Sequence, residues 1–281
     1  MNFISDEELA QFVKEDSPYG DLTTWLQNPK ETQARFKIYT REKIIVSAMD
    51  EVVRIAKLFG IEVVYAKASR EIANEGETLL ELKGEYIKLH QIWRSVQKLL
   101  EYSSKIATTT YKMVSLMKEV NPHCELLATR KTIPFAKHLC MRGVLDGGGL
   151  PHRLGLSETI LFFPQHRILY KDFNEFLKAI KGVQLRSPEK RVAVESETFE
   201  EAKELLDAGI ELLQIDKADP ETLKKIVDYK NSNDAKAYIL ASGGIGLSNV
   251  KEYASSGVNG IVTSKIYCQG MVNLGSLMEK I

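Results

Sequence analysis

Ala128–Gly155 reads ATRKTIPFAKHLCMRGVLDGGGLPHRLG, and the fold turns on how its two ends are read. It follows the apolar run Glu125-Leu126-Leu127-Ala128 and opens on adjacent cations, Arg130 and Lys131. A helix-like segment comes next, then Gly147, Gly148 and Gly149, then a second cationic pair, His152 and Arg153. A short apolar run that stops at charged residues and gives way to a helix reads as a buried strand with a crossover behind it. Two positive clusters joined through glycines suggest a pocket for an anionic ligand.

The same pattern recurs down the chain. After Asn121-Pro122, apolar runs appear at Glu125–Ala128, Thr159–Phe163, Arg191–Val194, Leu212–Ile215, Ala237–Leu240 and Gly260–Val262. Each ends in polar or charged residues: Arg130-Lys131, Gln165-His166, Glu195, Asp216, Ser242-Gly243-Gly244 and Thr263-Ser264-Lys265. Continuously apolar strands alternating with helices mean a parallel sheet covered on both faces, an α/β class. Six or more such units predict a (β/α) barrel, complete or open. Barrels of this kind carry their chemistry at the C-terminal ends of the strands, so the polar residues should converge on one mouth.

The first part of the chain has a different texture. Asp6–Glu15 has helical spacing, with Leu9, Phe12 and Val13 inward and Ser5 as the N-cap. EDSPYGDLTTWL reads as a polar surface turn around Pro18 and Gly20. Gln33–Ser47 alternates and is β-branched, predicting strand, turn and strand; Ile61–Ala66 and Thr78–Lys83 are further strands. Glu51–Phe59 is helical, and Glu85–Met117 is a long helical region that we read as two helices. These elements predict an N-terminal α+β sandwich domain over residues 1–105, with Gln269–Ile281 returning to it as a helix. Residues 106–268 form the barrel domain. There is no close internal repeat and no low-complexity tract.

Composition narrows the function classes. The 281 residues are 44% hydrophobic and 27% charged, ordinary for a globular protein. The formal net charge is zero, so no global field favours nucleic acid or a membrane, and anion binding must come from local clusters. Cys124, Cys140 and Cys268 lack metal-site spacing and fit a reducing cytoplasm. The N-terminus is acidic without an apolar core, unlike a signal peptide. No window approaches the roughly 18 apolar residues a membrane helix needs.

The predicted mouth carries three kinds of group. Arg130, Lys131, His152 and Arg153 supply positive charge; the planar fork of arginine suits carboxylate or phosphate. Glu195 and Asp216, on neighbouring strand ends, could hold ribose hydroxyls or water on a bound Mg²⁺. Ser242-Gly243-Gly244-Ile245-Gly246, before a helix beginning near Ser248, reads as a phosphate cradle. Each has a plainer reading: a turn, barrel-rim ion pairs, a surface pair. Lys131 could also be a Schiff-base lysine of a lyase. Arg94, beside Trp93, reads as a solvated helix charge. The conjunction of all three groups favours a ligand with phosphate, sugar hydroxyls and a chelated anionic group.

At these residues a resemblance becomes plain. TRKTIP, GGG-x-x-HRLGL, a strand ending in His, then Glu195, Asp216 and SGGI resemble, in order and spacing, the quinolinate phosphoribosyltransferase family (nicotinate-nucleotide pyrophosphorylase, carboxylating). EDSPYGDLTTWL, HRLGLSETILFF and GIVTSKIY look closer to its molybdenum-transport-associated, ModD-type branch. The resemblance covers essentially the whole chain. It implies a type II phosphoribosyltransferase architecture, an N-terminal sandwich with an open α/β barrel. It implies a cytoplasmic homodimer or higher homo-oligomer in which one sandwich covers the partner's barrel mouth. The implied reaction moves the phosphoribosyl group of phosphoribosyl pyrophosphate (PRPP) to an anionic heteroaromatic acid, releasing pyrophosphate; with quinolinate this belongs to NAD biosynthesis.

Carried over by position, Thr129, Arg130 and Lys131 would line the substrate and pyrophosphate region, and His152 and Arg153 would grip the aromatic acid. Glu195 and Asp216 would hold ribose hydroxyls and Mg²⁺-linked water, with Mg²⁺ brought by the substrate rather than ligated directly. Lys131, Glu195 and Asp216 are thereby the catalytic candidates. Ser242, Gly243, Gly244, Thr263 and Ser264 would take the 5′-phosphate. Arg94 matches the arginine that the family inserts from the neighbouring subunit, which reverses its plainer reading. One departure stands out: Phe163 occupies the place of the family's ligand-binding lysine, so the acceptor half of the site is altered. The competing expectation is a non-catalytic or divergent ModD-type protein linked to molybdenum transport or cofactor homeostasis.

Overall fold

The computed structural model describes residues 4–281. In chain order the elements are α1 (Asp6–Asp16), α2 (Leu22–Gln27), β1 (Gln33–Thr40), β2 (Ile44–Ile45), α3 (Met49–Leu58), β3 (Glu62–Ala66), β4 (Ile72–Ala73), β5 (Thr78–Glu85) and α4 (Tyr86–Lys118). Then come β6 (Glu125–Ala128), α5 (Lys137–Asp146), β7 (Leu150–Pro151), β8 (Ile160–Phe162), a 3₁₀ turn at Pro164–Leu169, α6 (Phe173–Arg186) and β9 (Val192–Ser196). The chain finishes with α7 (Phe199–Asp207), β10 (Leu212–Asp216), α8 (Pro220–Ser232), β11 (Tyr238–Ser242), α9 (Val250–Ser255), β12 (Gly260–Thr263) and β13 (Leu274–Lys280). Two compact units result: residues 1–111, 133–148 and 267–281 in one, residues 112–132 and 149–266 in the other.

The first unit is built on an antiparallel sheet in the order β13-β1-β5-β3. Strict alternation in β1, with Ala34, Phe36, Ile38 and Thr40 buried, turns one sheet face into a core. Leu80 and Leu82 of β5, Val52 and Ile55 of α3, and Leu89, Ile92 and Val96 of α4 complete it. Ser5 caps α1 through a reciprocal capping box with Glu8, as its spacing predicts.

Several expectations need correction here. Gln269–Ile281 does not return as a helix: β13 pairs antiparallel with β1, from Ala34↔Lys280 to Thr40↔Leu274, and extends the sheet. The long helical region is one helix of 33 residues, since neither glycine nor proline interrupts it. The EDSPYGDLTTWL turn contains α2, because the Asp21 carboxylate accepts from the N–H groups of Thr23 and Thr24. β4 and β7 are two-residue strands that periodicity does not register.

Compactness groups α5 apart from its neighbours in sequence. α5 belongs to the first unit, although it lies between segments of the second. It packs so closely on α4 that a Cβ on Gly143 would sit 2.8 Å from the Ser103 carbonyl oxygen and from Ile106 Cβ. The glycine is there for contact, not for freedom. A buried polar knot ties down the helix's end. Asp146, whose side chain is 1% exposed, accepts from Ser47 Oγ at 2.8 Å and pairs with Arg142 Nε at 3.1 Å and Arg70 Nε at 3.2 Å.

The second unit is a seven-stranded sheet in the order β7-β6-β12-β11-β10-β9-β8, parallel throughout. Its central strands are buried along their length, as in β12. β7 and β8 sit at opposite edges of the sheet order, yet Arg153 Nη1 donates to the Thr159 carbonyl at 3.2 Å. Arg153 also lies over the ring of Phe163, just past the C-terminal end of β8, so the sheet curls until its edges meet: an open barrel, as predicted.

Candidate active site

A cleft of about 460 Å³ lies at the C-terminal ends of the parallel strands. Thr129, Arg130 and Lys131 reach it from the end of β6, and His152 and Arg153 from the end of β7. Glu195 of β9, Asp216 of β10, Ser242, Gly243 and Gly244 after β11, and Thr263 and Ser264 after β12 complete the predicted set. Phe163 lines it too. The arrangement follows from topology: parallel strands end on the same side, so each polar strand end faces one mouth. Arg94 does not line this cleft; it lies exposed on α4 with its guanidinium 4.7 Å from the Trp93 ring centroid. It borders a groove of the first unit with Asp21, Thr23 and His90.

The carboxylates are held rather than free. Gln214 Nε2 donates to Glu195 Oε2 at 2.6 Å, across the register that pairs these two residues. Desolvation raises the Glu195 carboxyl above the ordinary range. Ser242 Oγ donates to Asp216 Oδ1 at 2.9 Å, and Lys217 Nζ stands 3.5 Å from Asp216 Oδ2. Neither Gln214 nor Lys217 is anticipated among the sequence candidates. The signal for Gln214 is its place two residues before Asp216, which puts both on one strand face. Lys217 takes φ +57°, unusual for a side-chain-bearing residue, and its N–H donates to the Ser242 carbonyl at 2.8 Å.

The glycine cradle differs in detail from expectation. α9 begins at Val250 rather than near Ser248, and the Gly246 N–H is taken by Asn249 Oδ1 at 2.8 Å. The cradle is thus a left-handed turn, with Gly243 at φ +90° and Gly244 at φ +72°, not a helix N-terminus. A Cβ on Gly243 would lie 2.7 Å from the Lys217 backbone nitrogen and 2.9 Å from Asp216 Oδ1; at Gly244 nothing stands within 4 Å. If the turn cradles a phosphate, Gly243→Ala should weaken that binding by about tenfold or more, through strain and displacement of the turn. Gly244→Ala, strained but unobstructed, should cost less. Calorimetric titration of both variants measures the difference.

His152 is not the cation its sequence position suggests. Burial first, then the charges of Arg153 and Arg130, hold its imidazole at about 4, so it is neutral at physiological pH. Burial and Arg130 also keep Arg153 below the ordinary guanidinium range. An anion bound beside His152 would raise its pKa back toward the unperturbed value of about 6.5. The bound state then carries more protons than the free one, so anion affinity should rise as pH falls from about 6.5 toward 4. Sulfate, which does not titrate there, is the probe for calorimetry. His152→Asn should flatten this pH dependence.

Residues 106–272 match the C-terminal domain of quinolinate phosphoribosyl transferase, and residues 21–104 match the N-terminal domain of the same family. The chain belongs to the quinolinate phosphoribosyl transferase family. Within that family it is 32% identical over 281 residues to the ModD protein of Pasteurella multocida (strain Pm70), provisionally named a pyrophosphorylase; the match spans 100% of this chain and 99% of that protein. It is 29% identical over 259 residues to a provisionally named nicotinate-nucleotide pyrophosphorylase (carboxylating) of Methanocaldococcus jannaschii, across 89% of this chain and 88% of that one. The crystal structure of nicotinate-nucleotide pyrophosphorylase from Ehrlichia chaffeensis superposes with a TM-score of 0.89 at 23% identity, covering 99% of this chain and 100% of that one. The quinolinate phosphoribosyl transferase fold is therefore present over the full length. Among the described residues, no helix is long and apolar enough to cross a membrane.

Proposed function

We propose that the chain transfers the phosphoribosyl group of PRPP to a ring nitrogen of an anionic heteroaromatic acid, with release of pyrophosphate. What supports this reading is one cleft holding a glycine turn, two adjacent carboxylates and a cationic flank together. A bond forms between the ring nitrogen and the anomeric carbon as the bond from that carbon to pyrophosphate breaks. The leaving group departs with the electron pair. Ser242, Gly243, Gly244, Thr263 and Ser264 anchor the 5′-phosphate. Arg130 and Lys131 neutralise the departing pyrophosphate, while Glu195 and Asp216 face the sugar as it becomes cationic. Catalysis is positioning and fixed charge. With quinolinate as acceptor, loss of carbon dioxide would follow.

Mg²⁺ suits this chemistry as a companion of the substrate. Among the described residues no group of three His, Cys, Asp or Glu side chains converges to hold a metal ion. Asp216 is engaged by Ser242 and Lys217, and Glu195 by Gln214. Glu195 and Asp216 would meet the ion through its water, and the ion would supply charge to the pyrophosphate oxygens. We place the reaction in the cytoplasm and assign the working form to a homodimer, with Arg94 reaching the partner's cleft. The decisive experiment mixes purified protein, Mg²⁺ and PRPP with a panel of heteroaromatic acids and follows pyrophosphate. Release that depends on an added acid supports the reading; PRPP that neither binds nor reacts overturns it and leaves the non-catalytic ModD-type role.

A further inference from the structure

Where the curled sheet's edges meet, the cleft changes character. Phe163 follows β8 with its N–H donated to His166 Nδ1 at 2.9 Å, and its ring stacks on the His166 ring at 5.8 Å and 22°. The pair is held by the 3₁₀ turn that starts at Pro164. Arg153 approaches the Phe163 ring, with its guanidinium carbon 5.9 Å from the centroid. Arg153 as a whole is 8% exposed, and its guanidinium already donates to the Thr159 carbonyl. Leu161, 7% exposed, lines the wall below. His152, beside Arg153, is neutral. This corner is therefore an aromatic and aliphatic wall facing one buried, partly committed cation. The other cations lining the cleft are Arg130 and Lys131 after β6, Lys217 after β10 and Lys265 after β12.

We infer that this corner makes the cleft selective for an aromatic acid carrying a single carboxylate, with Phe163 as the specificity-determining residue. The inference rests on the phosphoribosyl-transfer reading and names the acceptor class for that same cleft. One carboxylate meets Arg153 at the edge of the corner, and the flat ring lies along Phe163 and Leu161. A planar π-system gains from stacking on a fixed phenyl ring. With Arg153 taken, a second carboxylate on a ring lying along Phe163 and Leu161 meets two side chains that offer no hydrogen-bond donor, while the other cations stand after β6, β10 and β12. A carboxylate removed from water without a partner is strongly disfavoured. The site thus discriminates by leaving the extra charge unpaired, which separates ligands more sharply than a lost apolar contact does.

The test is calorimetric binding of nicotinate, a pyridine monocarboxylate, and quinolinate, a pyridine dicarboxylate. Each is titrated into wild type, Phe163→Lys and Phe163→Leu, with and without a non-reactive PRPP analogue. Wild type should prefer the monocarboxylate by about tenfold or more. Phe163→Lys should reverse that order by giving the second carboxylate a partner. Phe163→Leu, apolar but without a ring, should keep the preference while weakening nicotinate severalfold; thermal melts of all three proteins show that each is folded. A wild type that prefers quinolinate, a ratio unmoved in Phe163→Lys, or no binding of either acid overturns the inference. Binding of the PRPP analogue is scored separately. Its presence without acid binding sinks only the acceptor class, and its absence sinks the phosphoribosyl reading.

Discussion

Lys131→Ala and Glu195→Ala should each abolish the proposed release of pyrophosphate from PRPP, while circular dichroism and thermal melts should show the fold in place. Lys131 is exposed at the cleft, so its removal leaves no cavity in a core. Its charge faces the position where the proposed pyrophosphate leaves. Removing one fixed charge or donor from a developing anion costs on the order of 10²–10³ in rate. Glu195 acts on the other partner of the breaking bond. Its raised pKa means that the folded protein withholds solvent from this carboxylate, and a cationic sugar would be the compensating charge. Glu195→Ala strands Gln214 Nε2, at a cost of roughly 1–3 kcal/mol, which shifts the melt without unfolding the chain. The raised pKa also has a sign in the rate. Protonation silences the carboxylate, so the acid limb of the pH–rate profile should lie above the ordinary glutamate range. Two mutants with wild-type rates would show that the chemistry is not in this cleft.

Arg94→Ala should inactivate as completely as Lys131→Ala, and a mixture of the two inactive proteins should recover activity. Arg94 is exposed, with its guanidinium over the Trp93 ring, and does not line its own chain's cleft. A purely solvated charge would be dispensable. In a two-fold dimer with shared sites, each hybrid holds one complete site and one doubly defective site. Random re-pairing makes half of the dimers hybrid, so recovery should approach roughly a quarter of the wild-type rate. Dissociation and re-pairing at dilute concentration, followed by a pyrophosphate assay, measures it. No recovery, with hybrids present by native mass spectrometry, would place Arg94 outside any shared site.

The parallel half of the fold was legible because its signal is local. Each apolar run lies within a residue or two of a strand, and each polar run-end contributes at least one residue to the cleft. What could not be read depends on distant partners. β13 is a strand because β1 offers it an edge more than 230 positions away, and nothing in LGSLMEK alone settles strand over helix. α4 exceeds the usual helix length of about 10–14 residues, so a break was expected where tertiary packing keeps it continuous. The twelve predicted cleft residues converge, but the charge of one of them was misjudged. His152 looks cationic beside Arg153 in the sequence; burial and that same arginine make it neutral. A lone amide inside LLQID carries no local mark of its part as donor to a carboxylate on the next strand.

The chain crosses between its two compact units four times, and α5 is the reason for two of those crossings. Neither unit is a contiguous piece of polypeptide, so no single cut releases either one whole. A recombination event that lifted out the parallel sheet would have to carry α5 along or sew the ends of β6 and β7 together anew. Inheritance of this architecture is consequently all or nothing.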